Sequence, residues 1–381
     1  MTRSTDRILT THVGSLPRPE SLVRAMFAKE EGVPVDDAAL SDAIAAAVDD
    51  VVGKQRASGV DIVSDGEMSK PSYATYVKDR LTGFDGESVP VPYQDLEEFP
   101  TLKARVFGDR GRSRRKTPAI TGPVTLRDPD AVKADIAAFK AALSAHGHET
   151  GFMGSASPGV VTVFFHNAYY PSHEACLAAI ADAMRAEYEA IADAGLTLQI
   201  DCPDLAMGRH FTFADLDLKD FRAVAQMHVE ALNHATANIP PEQMRMHLCW
   251  GNYEGPHHCD VPLGDIIDIV LAARPAALSL EAANPRHGHE WTVFETTKLP
   301  DGKVLIPGVI ESKSNFIEHP DLIAQRILTY ANLVGRENVI AGSDCGYGTW
   351  VGQAAVEPDI VWAKLAALKE GANRASTRLW G

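Results

Sequence analysis

The stretch SHEACLAAIADAMRAEYEAIADAGLTLQID, residues 172–201, decides the architecture. Ser172 is a helix N-cap, because its hydroxyl can accept from an otherwise unsatisfied amide of the first turn. Cys176, Ile180, Met184, Tyr188 and Ile191 recur at spacings of three or four, which places them on one buried stripe. Gly195 stops the helix, and residues 196–201 read as an apolar strand closed by Asp201. The same plan returns from Ser41 through Gly59 to a strand at 60–65, from Leu263 through Pro275 to 277–281, and from Pro320 through Gly335 to 339–344. Further strands are expected at 8–13, 151–157, 245–249 and 304–310.

Strands that alternate with helices favour a parallel sheet, and eight of them predict an α/β TIM (β/α)8 barrel. We expect one catalytic domain over residues 1–381 with an inserted rim segment around 80–150, where 118–124 reads as an extra strand and 131–143 as a helix. In barrels the chemistry sits where strands end, so the polar residues closing each strand are the ones to inspect.

Composition narrows the function classes. Of 381 residues, 45% are apolar and 23% charged, the balance of a globular protein with a sizeable core. A formal net charge of −15 disfavours nucleic acid or an anionic membrane as partner. The basic run Arg110, Arg112, Arg114, Arg115 and Lys116 reads as a solvated loop tip, the alternative being a grip on an anionic substrate tail. Residues 1–7 contain no apolar leader core and no stretch approaches the ~20 apolar residues of a membrane span, so a cytoplasmic protein is expected. Five cysteines, odd in number and sparse, suit a reduced compartment and leave thiols for metal or chemistry.

Two strand ends carry the strongest chemical signal. His247 and Cys249 lie two residues apart, so both point to one face. Strand 277–281 ends in Glu281, and the last strand ends Ser343-Asp344-Cys345-Gly346. Imidazole, two thiolates and a carboxylate make a four-coordinate shell suited to Zn2+, and two thiolates favour release of a nucleophilic sulfur over polarisation of a carbonyl. Glu281 could instead pair with Arg286. His257, His258 and Cys259 sit in a Gly-Pro loop and read as surface, while Cys176 on the helical stripe reads as structural.

With these motifs stand Thr11-His12-Val13-Gly14-Ser15-Leu16-Pro17, Asp65-Gly66-Glu67 and Ile200-Asp201-Cys202-Pro203. Together they resemble the catalytic C-terminal domain of cobalamin-independent methionine synthase and its short single-barrel relatives, which include the epoxyalkane:coenzyme M transferases. The resemblance implies a barrel with zinc at its mouth, held by His247, Cys249, Glu281 and Cys345. It also implies a homocysteine site in which the backbone at Val13, Gly14 and Ser15 and the carboxylates of Glu67 and Asp201 grip the amino acid. Two converging carboxylates are tolerable with a cation between them; the alternative is strand-end caps pairing with Lys70 or Arg80. The chain departs from the synthases at Val309-Ile310-Glu311-Ser312-Lys313-Ser314, where they carry an Asp-x-His, at Cys202, where they carry an acid, and in lacking their separate N-terminal barrel.

The expected activity is zinc-dependent alkyl or methyl transfer to a small thiol such as homocysteine, through a zinc-bound thiolate, with Lys313, His12 and Glu311 as candidate catalytic residues. Epoxide ring opening of the coenzyme M transferase kind is one alternative. A zinc hydrolase is an alternative of another class, disfavoured because two thiolate ligands make bound water less acidic than histidines do. The expected partners are a small thiol and a small alkyl donor, with homo-oligomerisation left open.

Overall fold

Ser172 caps its helix as expected, accepting from the Ala175 amide at 3.1 Å. The helix runs His173–Asp193 and buries Cys176, Ile180, Met184, Tyr188 and Ile191. Gly195 at φ 80° supplies the left-handed turn into the next strand. The structure, a computed structural model, describes residues 2–89, 93–108, 113–353 and 355–381; Arg110 and Arg112 of the basic run lie outside them. Its strands are β1 (Leu9–Thr10), β2 (Phe84–Asp85), β3 (Ala119–Ile120), β4 (Phe152–Ala156), β5 (Thr197–Asp201), β6 (Met244–Leu248), β7 (Ala277–Leu280), β8 (Val304–Ile310) and β9 (Ile340–Ser343).

Seven of these form one parallel sheet in the order β1-β9-β8-β7-β6-β5-β4. The sheet is curled. Four strand spacings separate β1 from β6, about 19 Å in a flat sheet. Yet Arg245 of β6 donates to Thr11 Oγ1 at 3.0 Å and to the His12 carbonyl at 2.6 Å across the interior. The register Asp201↔His247 and His247↔Ser279 brings the functional strand ends to one level.

The segment expected as a strand at 60–65 lies between β1 and β4. Asp61 and Ile62 donate to the Thr10 carbonyl at 3.1 and 3.0 Å, and Phe152 donates to the Val63 carbonyl at 2.9 Å. Only Ser64↔Phe152 forms a bridge there. The reason is local: the Asp61 carboxylate itself takes the Thr10 amide at 2.9 Å and the Thr10 hydroxyl at 3.0 Å, occupying positions a ladder would use.

In the expected rim segment, β2 and β3 pair antiparallel and a helix spans Pro100–Phe107. The expected extra strand at 118–124 contracts to Ala119–Ile120. The helix Asp130–Ala145 buries Phe139, Ala142 and Leu143 and packs against the helices Asp37–Ala57 and His173–Asp193, within the outer helical layer. The helix expected after Leu263 is reduced to a 3-10 turn, Leu263–Asp265, and a single helical turn and a half, Ile267–Leu271; Gly264 weakens its start and the residue before Pro275 cannot extend it. Among the described residues no helix is long and apolar enough to cross a membrane.

Candidate active site

His247 closes β6, Cys249 follows two residues on, and Cys345 follows β9. Their ligand atoms all lie within 4.8 Å of one another, and no other such group of three or more occurs among the described residues. The two sulfurs are 3.2 Å apart, too far for a disulfide and less than twice a zinc–sulfur bond of about 2.3 Å. Burial pushes His247 down to about 4, leaving a neutral imidazole with Nδ1 3.4 Å from Ser279 Oγ. Burial, then the neighbouring Cys249 sulfur, raises the Cys345 thiol well above its ordinary range. Two buried thiols facing each other beside a neutral imidazole are poorly placed to ionise alone, whereas a divalent cation deprotonates them. The donor set therefore fits zinc.

Glu281 stands beside this group but its oxygens are engaged elsewhere. Oε1 accepts from the Trp250 amide at 2.9 Å, and Oε2 accepts from Asn284 Nδ2 at 2.8 Å and Lys313 Nζ at 2.9 Å. Arg286 takes no part, donating to the His258 carbonyl instead. Although burial opposes it, the Lys313 cation draws Glu281 down to about 2, and Glu281 in turn raises Lys313 above its ordinary range. Lys313 is thus a fixed cation rather than the proton source that burial alone would make. Glu311 caps its own turn, accepting from the Lys313 and Ser314 amides at 2.9 and 2.7 Å. Asp344 serves the neighbouring loop: it accepts from the amides of Ala282, Ala283 and Asn284, each at 2.8 Å.

One pocket joins the His-Cys-Cys group to Val13, Ser15, Glu67 and Asp201. Glu67 is aimed by strain: its φ of 57° is left-handed, held by an Asp65 side chain that accepts its amide at 3.1 Å. Gly14 leaves room for it, since a Cβ there would meet Glu67 Oε1 at 2.8 Å on a backbone at φ 141°. Burial, reinforced by Asp201, lifts Glu67 to about 8, and burial lifts Asp201 to about 7. Glu67 Oε2 is buried with no hydrogen-bond partner among the described residues. Neither acid pairs with Arg80, which bonds Glu187 at 2.9 Å and also Asp135. Lys70 is close enough to lower both, while its Nζ bonds the Gly154 carbonyl. The pair is therefore under-neutralised, a setting that welcomes a cation.

His12 lies beneath this pocket rather than on its wall. Nδ1 accepts from the Gly14 amide at 3.1 Å and Nε2 contacts Gln55 Oε1 at 2.7 Å, so both nitrogens are used. Burial pushes it down to about 4. The wall facing Glu67 is aromatic, formed by Tyr73, Tyr93, Phe164, Tyr253 and Trp350, with the Arg115 guanidinium 5.1 Å from the Phe164 ring centroid. Of the basic run, Arg115 alone among its described members lines the pocket.

Sequence reading missed Gln199 and Arg245, which lie in the interior of the curled sheet, two residues before Asp201 and His247. Gln199 donates to Asp201 Oδ1 at 2.8 Å and bonds the Val13 carbonyl. Both stand two residues before a strand-end functional group, so the period of two could have flagged them. His257 also departs from the expected surface loop. It is buried at φ 54° and contacts Asp260 at 2.9 Å, an acid that His287 reaches at the same distance and His210 at 3.1 Å.

Residues 8–360 match the family described as cobalamin-independent synthase, catalytic domain. A methionine synthase of Thermococcus kodakarensis is 24% identical over 339 residues, covering 88% of this chain and 86% of its own. A 2-hydroxypropyl-CoM lyase of Xanthobacter autotrophicus is 25% identical over 397 residues, covering 96% and 94%. Among solved structures, a B12-independent methionine synthase from Shewanella sp. W3-18-1, in complex with selenomethionine, superposes with a TM-score of 0.74 at 19% identity over 98% of this chain and 99% of that one. That likeness concerns the fold.

Proposed function

The chain belongs to the cobalamin-independent synthase catalytic-domain family, and from that premise we propose that it transfers a methyl or other small alkyl group to the sulfur of an amino-acid thiol such as homocysteine. One observation carries the reading: a single pocket is lined both by the His247, Cys249 and Cys345 donors and by the under-neutralised Glu67–Asp201 pair. Zinc held by the first group supplies a lowered thiol pKa at neutral pH. The carboxylates bind the substrate ammonium, and the 13–15 turn, fixed by His12 through Gly14, gives backbone contacts to the rest of the amino acid. The aromatic wall excludes water and holds the donor carbon at attack distance. Lys313, Glu311 and His12 act as positioning residues, since none of them lines the pocket.

We further propose that residues 60–64 close the curled sheet as its eighth stave, making 1–381 a single catalytic barrel interrupted around 80–150. Their hydrogen bonds to Thr10 on one side and Phe152 on the other support this. The functional test is turnover of zinc-loaded protein with homocysteine and a donor panel: methyltetrahydrofolate in mono- and triglutamyl forms, epoxides, and methylated thiols. Donor-dependent S-alkyl homocysteine is expected; thiol-independent hydrolysis of the donors would replace this reading with a zinc hydrolase.

A further inference from the structure

We propose that Lys313 is a positioning residue that holds the Glu281 carboxylate out of the metal shell, so that His247, Cys249 and Cys345 alone are the resident protein ligands and the fourth position is left to the substrate sulfur. The inference rests on the reading of that group as a zinc site.

Glu281 is fully buried, and its two oxygens carry three donors: the Trp250 amide on Oε1, and Asn284 Nδ2 with Lys313 Nζ on Oε2. Each donor is itself fixed. Trp250 is completely buried, stacks on His287 with ring centroids 4.1 Å apart, and donates its indole N–H to the Val261 carbonyl at 2.7 Å. Asn284 is tied back to Asp344 Oδ2 through its amide at 2.8 Å and Nδ2 at 3.0 Å. Lys313 does not line the thiol pocket; it lines an outer cleft with Glu311, Phe316 and Arg326.

Charge explains why such a clamp is useful. A divalent cation with two thiolates and a neutral imidazole is formally neutral, and a permanent fourth carboxylate would make the shell anionic before any substrate thiolate arrived. Pairing Glu281 with Lys313 removes that competition. A buried ion pair that loses its cation leaves an uncompensated charge, which a metal on the neighbouring thiolates would then draw in competition with His287.

The test is zinc affinity, measured by chelator competition, in Lys313→Met, Lys313→Arg, Glu281→Gln and the Glu281→Gln/Lys313→Met double variant, with Cys345→Ser as control. Lys313→Met is expected to bind zinc about tenfold or more tightly, within the range that groups behind a metal's ligands command. Lys313→Arg keeps the cation and stays near wild type. Glu281→Gln alone leaves zinc affinity near wild type, and the double variant abolishes the gain. A zinc-loaded crystal structure of Lys313→Met should place a Glu281 oxygen on the metal. A large loss of zinc in Glu281→Gln would overturn the proposal by showing that Glu281 is already a ligand, as would Lys313→Met affinity equal to wild type. Zinc retained in Cys345→Ser would instead overturn the underlying assignment of the site.

Discussion

The sulfur atoms of Cys249 and Cys345 lie 3.2 Å apart although 96 residues separate them in the chain. The closure that unites them is built from hydrogen bonds around both. Gly251 donates its amide to the Cys249 sulfur at 3.2 Å. Behind Cys345, the Tyr347 amide donates to the Ser15 carbonyl at 2.8 Å, and Gly346 has no side chain because a Cβ would fall 1.9 Å from Ser15 Oγ. The first-strand turn thus packs behind the cysteine that follows the last strand.

This contact predicts a shared dependence on metal. Cys249→Ser and Cys345→Ser should each reduce bound zinc to well below one per chain, read by atomic emission on dialysed protein. Full zinc retention in either variant would remove that cysteine from the site.

Asp201→Asn should raise the KM for an amino-acid thiol and leave zinc content intact, because Asp201 lines the pocket but does not belong to the His247, Cys249 and Cys345 group. Loss of a charged hydrogen bond costs about 1.5–3 kcal/mol, or roughly 10- to 150-fold. An unchanged KM for homocysteine, beside turnover with coenzyme M, would show that the thiol is anionic.

Gly14→Ala tests the same pocket from below. The added methyl meets Glu67 Oε1 on a backbone at φ 141°, so thiol affinity should fall about as far as in Asp201→Asn while the zinc content again stays intact. Wild-type thiol affinity in this variant would mean that Glu67 does not bind substrate.

Much of this site was legible because strand ends in a barrel are chemically marked. His247, Cys249 and Cys345 are residue types with few other reasons to stand at strand ends, and Asp201 closes β5. The contacts of His12, Lys313 and Glu281 were not legible, because each depends on a partner that spacing does not reveal: Gln55 for His12, and one another for the ion pair. The fold was read well where helix and strand periods are clean, as at 172–201. It was read less well at 60–65, where the Asp61 side chain replaces ladder bonds.

Stability should depend on pH through His287, whose Nε2 and Nδ1 contact Asp260 and Glu290, each at 2.9 Å. Burial opposes its charge, but Asp260 and then Glu290 raise its pKa to about 9. A raised folded-state value means the stabilisation is fully present below about 6.5, the ordinary histidine value, and is lost as pH rises through about 9. At ~1.4 kcal/mol per unit, the rise of about 2.5 units is on the order of 3 kcal/mol. Urea unfolding at pH 6 and pH 9.5 should show that loss in the wild type and a smaller one in His287→Gln. Equal losses in both proteins would assign the pH dependence to other groups.

The central claim is that a substrate thiol reaches a metal held by His247, Cys249 and Cys345. It is tested most directly by X-ray absorption at the zinc edge of the purified protein with and without selenohomocysteine. A zinc–selenium scattering path that appears on binding, beside two retained zinc–sulfur paths, is the predicted result. Zinc whose coordination is unchanged at saturating selenohomocysteine, or protein that holds no zinc after metal-replete purification, would contradict it.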